Sequence, residues 1–263
     1  MEIICIGNEL LIGKVLNTNA QWLSSQATLA GISVRRVTVV RDEIKEIVAS
    51  IREALRRKPR FVITTGGLGP TFDDMTLEGI AKALNRKLVV NKKALKMVKE
   101  KYEAFAVENH SEFEMTQPRV KMATLPRNAK PIFNPIGTAP GVRVEIGNTL
   151  LTALPGVPKE MEAIFEESVL PMLRQASGDS AFHQRSMYAN NIMESSLAPL
   201  IDAVMHDNPG VYVKSHPRGR ENRPNIEIHL STTVGEAKKP AETLERAMMP
   251  RSKAIEEAGG KVV

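Results

Sequence analysis

Apolar residues in the first half of the chain alternate between two spacings. Glu2–Ile6 is a short unbroken apolar run, residues 32–40 are rich in Val and Ile, and Phe61-Val62-Ile63-Thr64 repeats the pattern. Each predicts a strand. Between them the spacing becomes helical. Residues 18–30 carry Leu and Ala one turn apart and stop at Gly31, while residues 43–58 set Ile44, Ile47, Val48, Ile51 and Leu55 on one face. A glycine cluster follows the third strand, and a further helix is expected over about 75–84. Strand, helix, strand, helix, strand, helix requires parallel pairing with crossovers that cover both faces of the sheet. The expected fold is a doubly wound α/β domain with a mostly parallel sheet.

The pattern then loosens. Residues 92–108 predict a long charged helix, after which Pro118, Pro126, Pro131 and Pro135 cut the chain into short pieces. Residues 142–146 and 149–154 flank Gly147-Asn148, the signature of an antiparallel hairpin, and a helix is expected over about 159–169. Residues 171–180, with Pro171 and Gly178, read as a linker. Beyond it come a strand near 186–189, a helix near 193–206, strands over 211–215 and 225–232, and a helical tail that Pro250 should divide. The expected organisation is a first domain over 1–170 and a smaller α+β domain over 180–263.

Composition narrows the class. Of 263 residues, 42% are hydrophobic and 25% charged, which suits a globular chain. Cys5 is the single cysteine, so neither an intrachain disulfide nor a Cys-based zinc site is available. The uncharged stretch 15–34 is interrupted by Asn17, Asn19, Gln21, Ser24, Ser25 and Gln26, whereas a membrane span needs about 20 predominantly apolar residues. With no secretory signal, the expected location is cytoplasmic. The net charge of +6 gathers at Arg35-Arg36, Arg56-Arg57-Lys58 with Arg60, and along 92–101. Acidic residues are interleaved there and aromatics are not, which indicates solvated helix faces rather than a nucleic-acid partner.

One segment concentrates chemistry: Thr64-Thr65-Gly66-Gly67-Leu68-Gly69-Pro70-Thr71-Phe72-Asp73-Asp74-Met75-Thr76. It leaves the carboxyl end of a predicted parallel strand and opens a helix, where open α/β sheets place ligands. Its glycines let backbone amides approach a phosphate, and the helix adds its positive end. Two carboxylates beside a phosphate repel it unless a cation intervenes, so Asp73 and Asp74 suggest a divalent metal held by oxygen. The alternative is a tight turn whose Asp only caps the helix.

Better-known patterns fail nearby. The dinucleotide fingerprint that Gly67-Leu68-Gly69 would begin has Phe72 in its last glycine position, and Gly13-Lys14 lacks the P-loop spacing and hydroxyl. Histidines 110, 183, 206, 216 and 229 are scattered without ligand spacing. Two other polar turns follow predicted strands, Gly7-Asn8-Glu9 and Arg41-Asp42, while Asn134 with Gly137-Thr138-Ala139-Pro140-Gly141 and Pro155-Gly156-Val157-Pro158 bracket the hairpin. Taken alone, each is a turn or a helix cap.

In order along the chain, these motifs resemble the CinA family, whose N-terminal domain shares the molybdopterin-binding fold of the MoaB, MogA and gephyrin type. The likeness rests on residues 7–13 (Gly-Asn-Glu-Leu-Leu-Ile-Gly), Asn17-Thr18-Asn19, Asp42 and the glycine segment through Thr76. Asn134, residues 137–141, residues 155–158 and Glu160-Met161 also match. It spans residue 3 to about 165, and more weakly the tail. The resemblance implies metal-dependent hydrolysis of ADP-ribose to AMP and ribose 5-phosphate, or, by analogy with relatives that cleave FAD, of a related dinucleotide. The pterin branch implies binding and adenylylation of molybdopterin instead, and a non-catalytic nucleotide-binding module is the third reading. Asp74 matches the essential acid of the pterin branch, while Asn8 stands where that branch often has Asp.

Longer CinA proteins carry a C-terminal domain that deamidates nicotinamide mononucleotide, and that activity is not expected of this chain. The implied cofactor is Mg²⁺, Mn²⁺ or Co²⁺, positioned by Asp73 and Asp74 as the catalytic pair, with Glu9 or Asp42 completing the shell or acting as base. Amides of Gly66, Gly67 and Gly69 would hold the diphosphate, with Thr71, Gly7, Asn8, Asn134, Gly156 and Pro158 around it. The expected partners are a nucleotide or pterin ligand and further copies of the chain, with neither membrane nor nucleic acid.

Overall fold

The computed structural model describes residues 1–178, 181–218 and 225–234, helical positions Glu242, Leu244, Glu245, Ala247 and Glu256, and the strand pair Lys261–Val262. The chain divides into two compact units: Met1–Ala27 with Ile32–Leu173, and Thr28–Gly31 with Arg174–Val263. In order, the first half contains β1 (Glu2–Ile6), α1 (Asn8–Leu11), α2 (Thr18–Leu29), β2 (Arg36–Val40), α3 (Ile44–Arg56), β3 (Phe61–Thr65) and α4 (Thr76–Ala83). There follow β4 (Leu88–Val90), α5 (Lys92–Glu108), α6 (Gln117–Met122), β5 (Thr124–Pro126), β6 (Lys130–Ile132), β7 (Gly141–Ile146) and β8 (Thr149–Leu154).

The first unit is built on a six-stranded sheet of order β2-β1-β3-β8-β7-β6. β2, β1, β3 and β8 run parallel, and β7 is antiparallel to both β8 and β6. This is the expected doubly wound α/β arrangement, with the 147–148 hairpin as its antiparallel end. β1 and β3 are buried along their whole length, as strands covered on both faces must be. On one face Ile4, Ile6 and Val62 pack with Ile47 and Ile51 of α3, Ile80 of α4 and Val98 of α5. Alternation turns Ile3, Cys5 and Ile63, also buried, to the other face. Burial holds the Cys5 thiol above its usual range, which suits an inert packing residue.

Several differences from the sequence pattern have local causes. β2 begins only at Arg36, just after the Arg35 amide donates to Met1 O at 2.9 Å. Pro118 does not break the chain but stands in the first turn of α6, where a missing N–H costs nothing. β4 pairs with β5 in a separate two-stranded sheet too short to show a period. The helix α7 (Pro158–Ile164) runs through a π-helical turn (Phe165–Val169) into α8 (Leu170–Ser177), so Pro171 lies within helix rather than in a linker loop. A wide turn just before Pro171 is how a helix absorbs a residue without an N–H. Part of the basic runs is paired: Arg57 grips the buried Glu2 carboxylate with two hydrogen bonds of 2.7 Å, and Lys96–Glu100 and Lys99–Glu103 join successive turns of α5.

In the second unit, β9 (Ala181–Asn190), α9 (Glu194–Asp207), β10 (Val211–Pro217), β11 (Asn225–Val234) and β12 (Lys261–Val262) form a sheet of order β10-β11-β9-β12, antiparallel throughout. That is a split β-α-β arrangement and fits the expected smaller α+β domain. Its core joins Met187, Ile226, Ile228 and Val213 to Leu197 and Val204 of α9. The division of the helical tail expected at Pro250 lies outside the described residues. No helix among the described residues is long and apolar enough to cross a membrane.

The contact of α3 with α4 admits no side chain at Gly79, where an added Cβ would come within 2.3 Å of Ile47 Cγ2. Gly79→Ala should therefore destabilise the fold by about 1–3 kcal/mol through overpacking, outweighing the roughly 0.5–1 kcal/mol that alanine gains in helix propensity. Denaturant unfolding of the two proteins measures the difference, and a more stable variant would show that the α3–α4 spacing is loose.

Candidate functional site

The connections from β1 go to β2 on one side, while β3 lies on the other. Such a reversal opens a crevice beyond the carboxyl ends of the strands. There the structure has a cleft of about 410 Å³ lined by Gly7, Glu9, Asp42, Gly66, Gly67, Gly69, Thr71, Asp73, Asp74 and Gly156 among others. Ten of the residues singled out in the sequence thus share one cavity, although they come from four separate loops.

Close backbone packing makes this convergence possible. A Cβ on Gly66 would lie 2.2 Å from Ile6 O at the end of β1, and one on Gly156 would meet Gly66 Cα at 3.3 Å. Gly66 also has φ +103°, a conformation that side chains disfavour. Its N–H donates to Leu154 O at 3.1 Å, and that of Gly7 donates to Val40 O at 3.1 Å. This corrects the expected donor role of Gly66: its amide is used by the sheet, and its contribution to the cleft is the absence of a side chain. Among the described residues, no acceptor engages the amides of Gly67 or Gly69, so these remain for a ligand.

Asp73 and Asp74 do not cap the following helix. α4 begins at Thr76 after Met75, with no side chain bonded to its first amides. Both carboxylates instead face Thr71. Asp74 Oδ2 accepts from Thr71 N at 2.8 Å, and the Thr71 hydroxyl lies 2.5 Å from both Asp74 Oδ2 and Asp73 Oδ1. One hydroxyl hydrogen serves two carboxylates. Lys121 of α6 reaches the same residue, its Nζ donating to Thr71 O. The hydrogen bond from Thr71, the Asp73 backbone amide and the charge of Lys121 hold the Asp73 carboxyl below its usual range. Asp42 shifts the opposite way. Partial burial and the nearby charges of Glu9 and Asp73 raise it, while the Asn8 amide, donating to Oδ2 at 2.7 Å, opposes them.

Asn8, Asn134 and Pro158 do not line the cleft, and two of them have identifiable structural roles. Asn8 fixes Asp42 through that amide. Asn134, 3% exposed, donates to Ala139 O and to Glu160 Oε2 at 2.8 and 2.7 Å, and accepts from the amides of Ile136 and Gly137. Pro158 lies in the first turn of α7 and borders a smaller recess with Asn19 and Gly156. Asn19 donates to Thr65 Oγ1 at 3.0 Å and to Gly156 O at 2.8 Å, tying the end of β3 to the turn after β8.

Glu160 also lines the cleft; in the sequence it entered only through the family likeness and was assigned no role. Its carboxylate lies over Gly137, where a Cβ would collide with it at 1.9 Å. The signal was its position just inside the helix that follows the Pro155-Gly156 turn. Lys121 carried none, standing 50 positions from Thr71. Glu9, Asp42, Asp73, Asp74 and Glu160 make the walls acidic. Among the described residues, no three His, Cys, Asp or Glu side chains are disposed to hold a metal by themselves.

A family model described as "Probable molybdopterin binding domain" matches residues 2–175. A protein of Pyrobaculum aerophilum is 49% identical over 243 residues, covering 92% of this chain and 88% of its own length. One of Metallosphaera sedula is 44% identical over 261 residues, or 98% and 95%. Among solved structures, the protein CinA of unknown function from Thermoplasma acidophilum is 43% identical with a TM-score of 0.59, covering 64% of this chain and 96% of that one.

Two outcomes follow from the geometry. Asn134→Ala removes the buried hydrogen bond to Ala139 O, leaves the part-buried Ile136 and Gly137 amides without their acceptor and frees Glu160, so unfolding should become easier by about 1–3 kcal/mol. A denaturation curve that does not move would show that the 134–139 turn holds itself. For Asp42, the raised affinity for protons in the folded state means that its contribution to stability falls as pH rises from the usual aspartate range through the raised value, and is level above it. Asp42→Asn keeps an acceptor for Asn8 and removes that slope from the variant, so the difference between the two stability–pH curves should carry it. Parallel curves would contradict the assigned shift.

Proposed function

The chain belongs to the molybdopterin-binding-domain family, and from that premise we propose that it is a metal-dependent nucleotide pyrophosphatase of the CinA-like type, hydrolysing ADP-ribose or a related dinucleotide to AMP. The observation that carries the reading is the pairing, at the end of β3, of two unengaged amides with two carboxylates turned toward one another. The Gly67 and Gly69 N–H groups receive non-bridging phosphate oxygens, as backbone concavities do. An anion at those amides would face the acidic walls, so a counter-charge strengthens its binding.

The donor set fits a hard divalent cation. Asp73 and Asp74 offer carboxylate oxygens only, and two of these approach one hydroxyl at 2.5 Å with one hydrogen to share. A cation such as Mg²⁺ takes one or two protein carboxylates and fills its remaining positions with water and substrate phosphate, so a preassembled set of three is not needed. Asp73 and Asp74 would hold it, with Glu9 near. When bound, it neutralises the diphosphate and makes water a better nucleophile. Asp42 Oδ2 is fixed by Asn8, and Oδ1 takes the proton from the attacking water. Its raised affinity for protons suits a general base. Asn134 keeps Glu160 at the opposite wall, where it orients sugar hydroxyls.

The family description favours a second reading, a pterin phosphate as ligand. One experiment separates the two. The purified chain should release AMP from ADP-ribose with Mg²⁺, Mn²⁺ or Co²⁺ and stop when these are chelated. Asp74→Asn should lower the rate by roughly a hundredfold or more, with little change in melting temperature because the amide still accepts from Thr71. Full activity in that variant would remove Asp74 from the mechanism. No AMP release by the wild type, with tight binding of a neopterin phosphate, would transfer the site to the pterin reading.

A further inference from the structure

The glycine loop has two sides. One borders the acidic cleft. The other, sharing Gly67, Leu68, Gly69 and Asp74 with it, borders a second recess of about 160 Å³. Their chemistry differs. No aromatic side chain lines the acidic cleft, which is bounded by carboxylates and narrow turns. The recess is walled by Phe72, Met75, Leu77 and Leu88, with Glu78, Lys121 and Thr124 among its polar groups.

Phe72 is the unusual member. It stands at the tip of the loop, 88% exposed, and so forgoes the burial by which a phenyl ring ordinarily stabilises a fold. The backbone on either side is nevertheless pinned. Thr71 is bonded to Asp73 and Asp74 and receives Lys121 on its carbonyl. An ordered loop therefore presents a bare aromatic face beside the amides that suit a phosphate. Flat heterocycles stack on such faces whatever their exact substituents.

We propose that this recess seats the fused-ring heterocycle of the ligand, a purine or a pterin, against Phe72, while its attached phosphates lie at Gly67 and Gly69 and the rest of the ligand extends into the acidic cleft. The inference rests on the phosphate reading of the loop and deepens it. Recess, amides and cleft lie in succession, matching a ligand made of ring, phosphate and sugar phosphate. Glu78, paired with Lys82, and Thr124, whose hydroxyl donates to Val120 O, keep lone pairs that can accept from the ring edge, which the apolar walls alone would not.

The test is equilibrium binding to the full chain without metal, so that it does not depend on turnover. The probes are ADP-ribose, AMP, a neopterin phosphate, ribose 5-phosphate and inorganic pyrophosphate. Phe72→Ala should weaken whichever ring-bearing probe the wild type prefers by about tenfold or more, leave ribose 5-phosphate and pyrophosphate unchanged, and leave the melting temperature unaltered. Phe72→Trp should restore binding of the ring-bearing probe. The preference between AMP and the neopterin phosphate identifies the ring. Equal affinity of Phe72→Ala and wild type for a ring-bearing probe overturns the inference while leaving the phosphate reading intact. If no phosphate-bearing probe binds the wild type, both fall together.

Discussion

The ends of β1 and β3 approach so closely that only glycine fits at Gly66, with Gly156 after β8 tightly packed against it, and the rest of the site depends on this constraint. The space beside Gly66 is taken by Ile6 O and the space beside Gly156 by Gly66 itself. A methyl group at Gly66 would have to push apart two buried parallel strands, and packed interiors yield little. Because the strand ends are level, the loops leaving them start from one plane and turn over one another. Asn19 then fastens two of these loops through Thr65 and Gly156, and Asn8 fastens a third through Asp42. The cleft follows from how the backbone is packed, and its side chains are added to a shape already set.

Glycine recurs around the cleft for a second reason. Glu9 lies over Gly7, Asp74 over Gly69 and Glu160 over Gly137, each where a Cβ would collide with the carboxylate. Three acids thus lie flat against bare backbone. Resting on a glycine limits where a carboxylate can turn, and Asn134 and Thr71 limit two of them further by hydrogen bonds. Preorganised acids around a cavity favour whatever brings positive charge into it, which is why an anionic ligand and a cation are coupled in the functional reading.

Much of the architecture was legible in the sequence because periodicity and burial agree there. β1 and β3 are short, mainly apolar runs covered on both faces, and α3 keeps its apolar stripe toward the sheet. Segments decided by tertiary pairing were not legible: β4 and β5 are three residues each and exist because they pair with one another. The π-helical turn before Pro171 reconciles a helix with a residue that usually ends one. At the site, the glycine loop was visible from its composition, but composition cannot say which amide the sheet uses. Gly66 and Gly67 look alike in sequence, and only the register of β3 with β8 assigns one to structure and leaves the other open. Lys121 reaches the loop through folding alone.

The arrangement at Thr71 bears on the choice between a proton and a cation. Two carboxylate oxygens at 2.5 Å from one hydroxyl share a single hydrogen, so one of the two contacts brings lone pairs together. A second proton on Asp73 would relieve this, but its hydrogen bonds and Lys121 hold that carboxyl below the usual range, so at neutral pH it is ionised. Lys121 is committed to the Thr71 carbonyl and opposes the charge without separating the two acids. Under the proposed function, a positive centre beside the two carboxylates would relieve this, and the unengaged Gly67 and Gly69 amides would take the anion that accompanies it. A phosphate brought in with its counter-ion would satisfy both at once, whereas either alone would leave one partner of the loop unmatched.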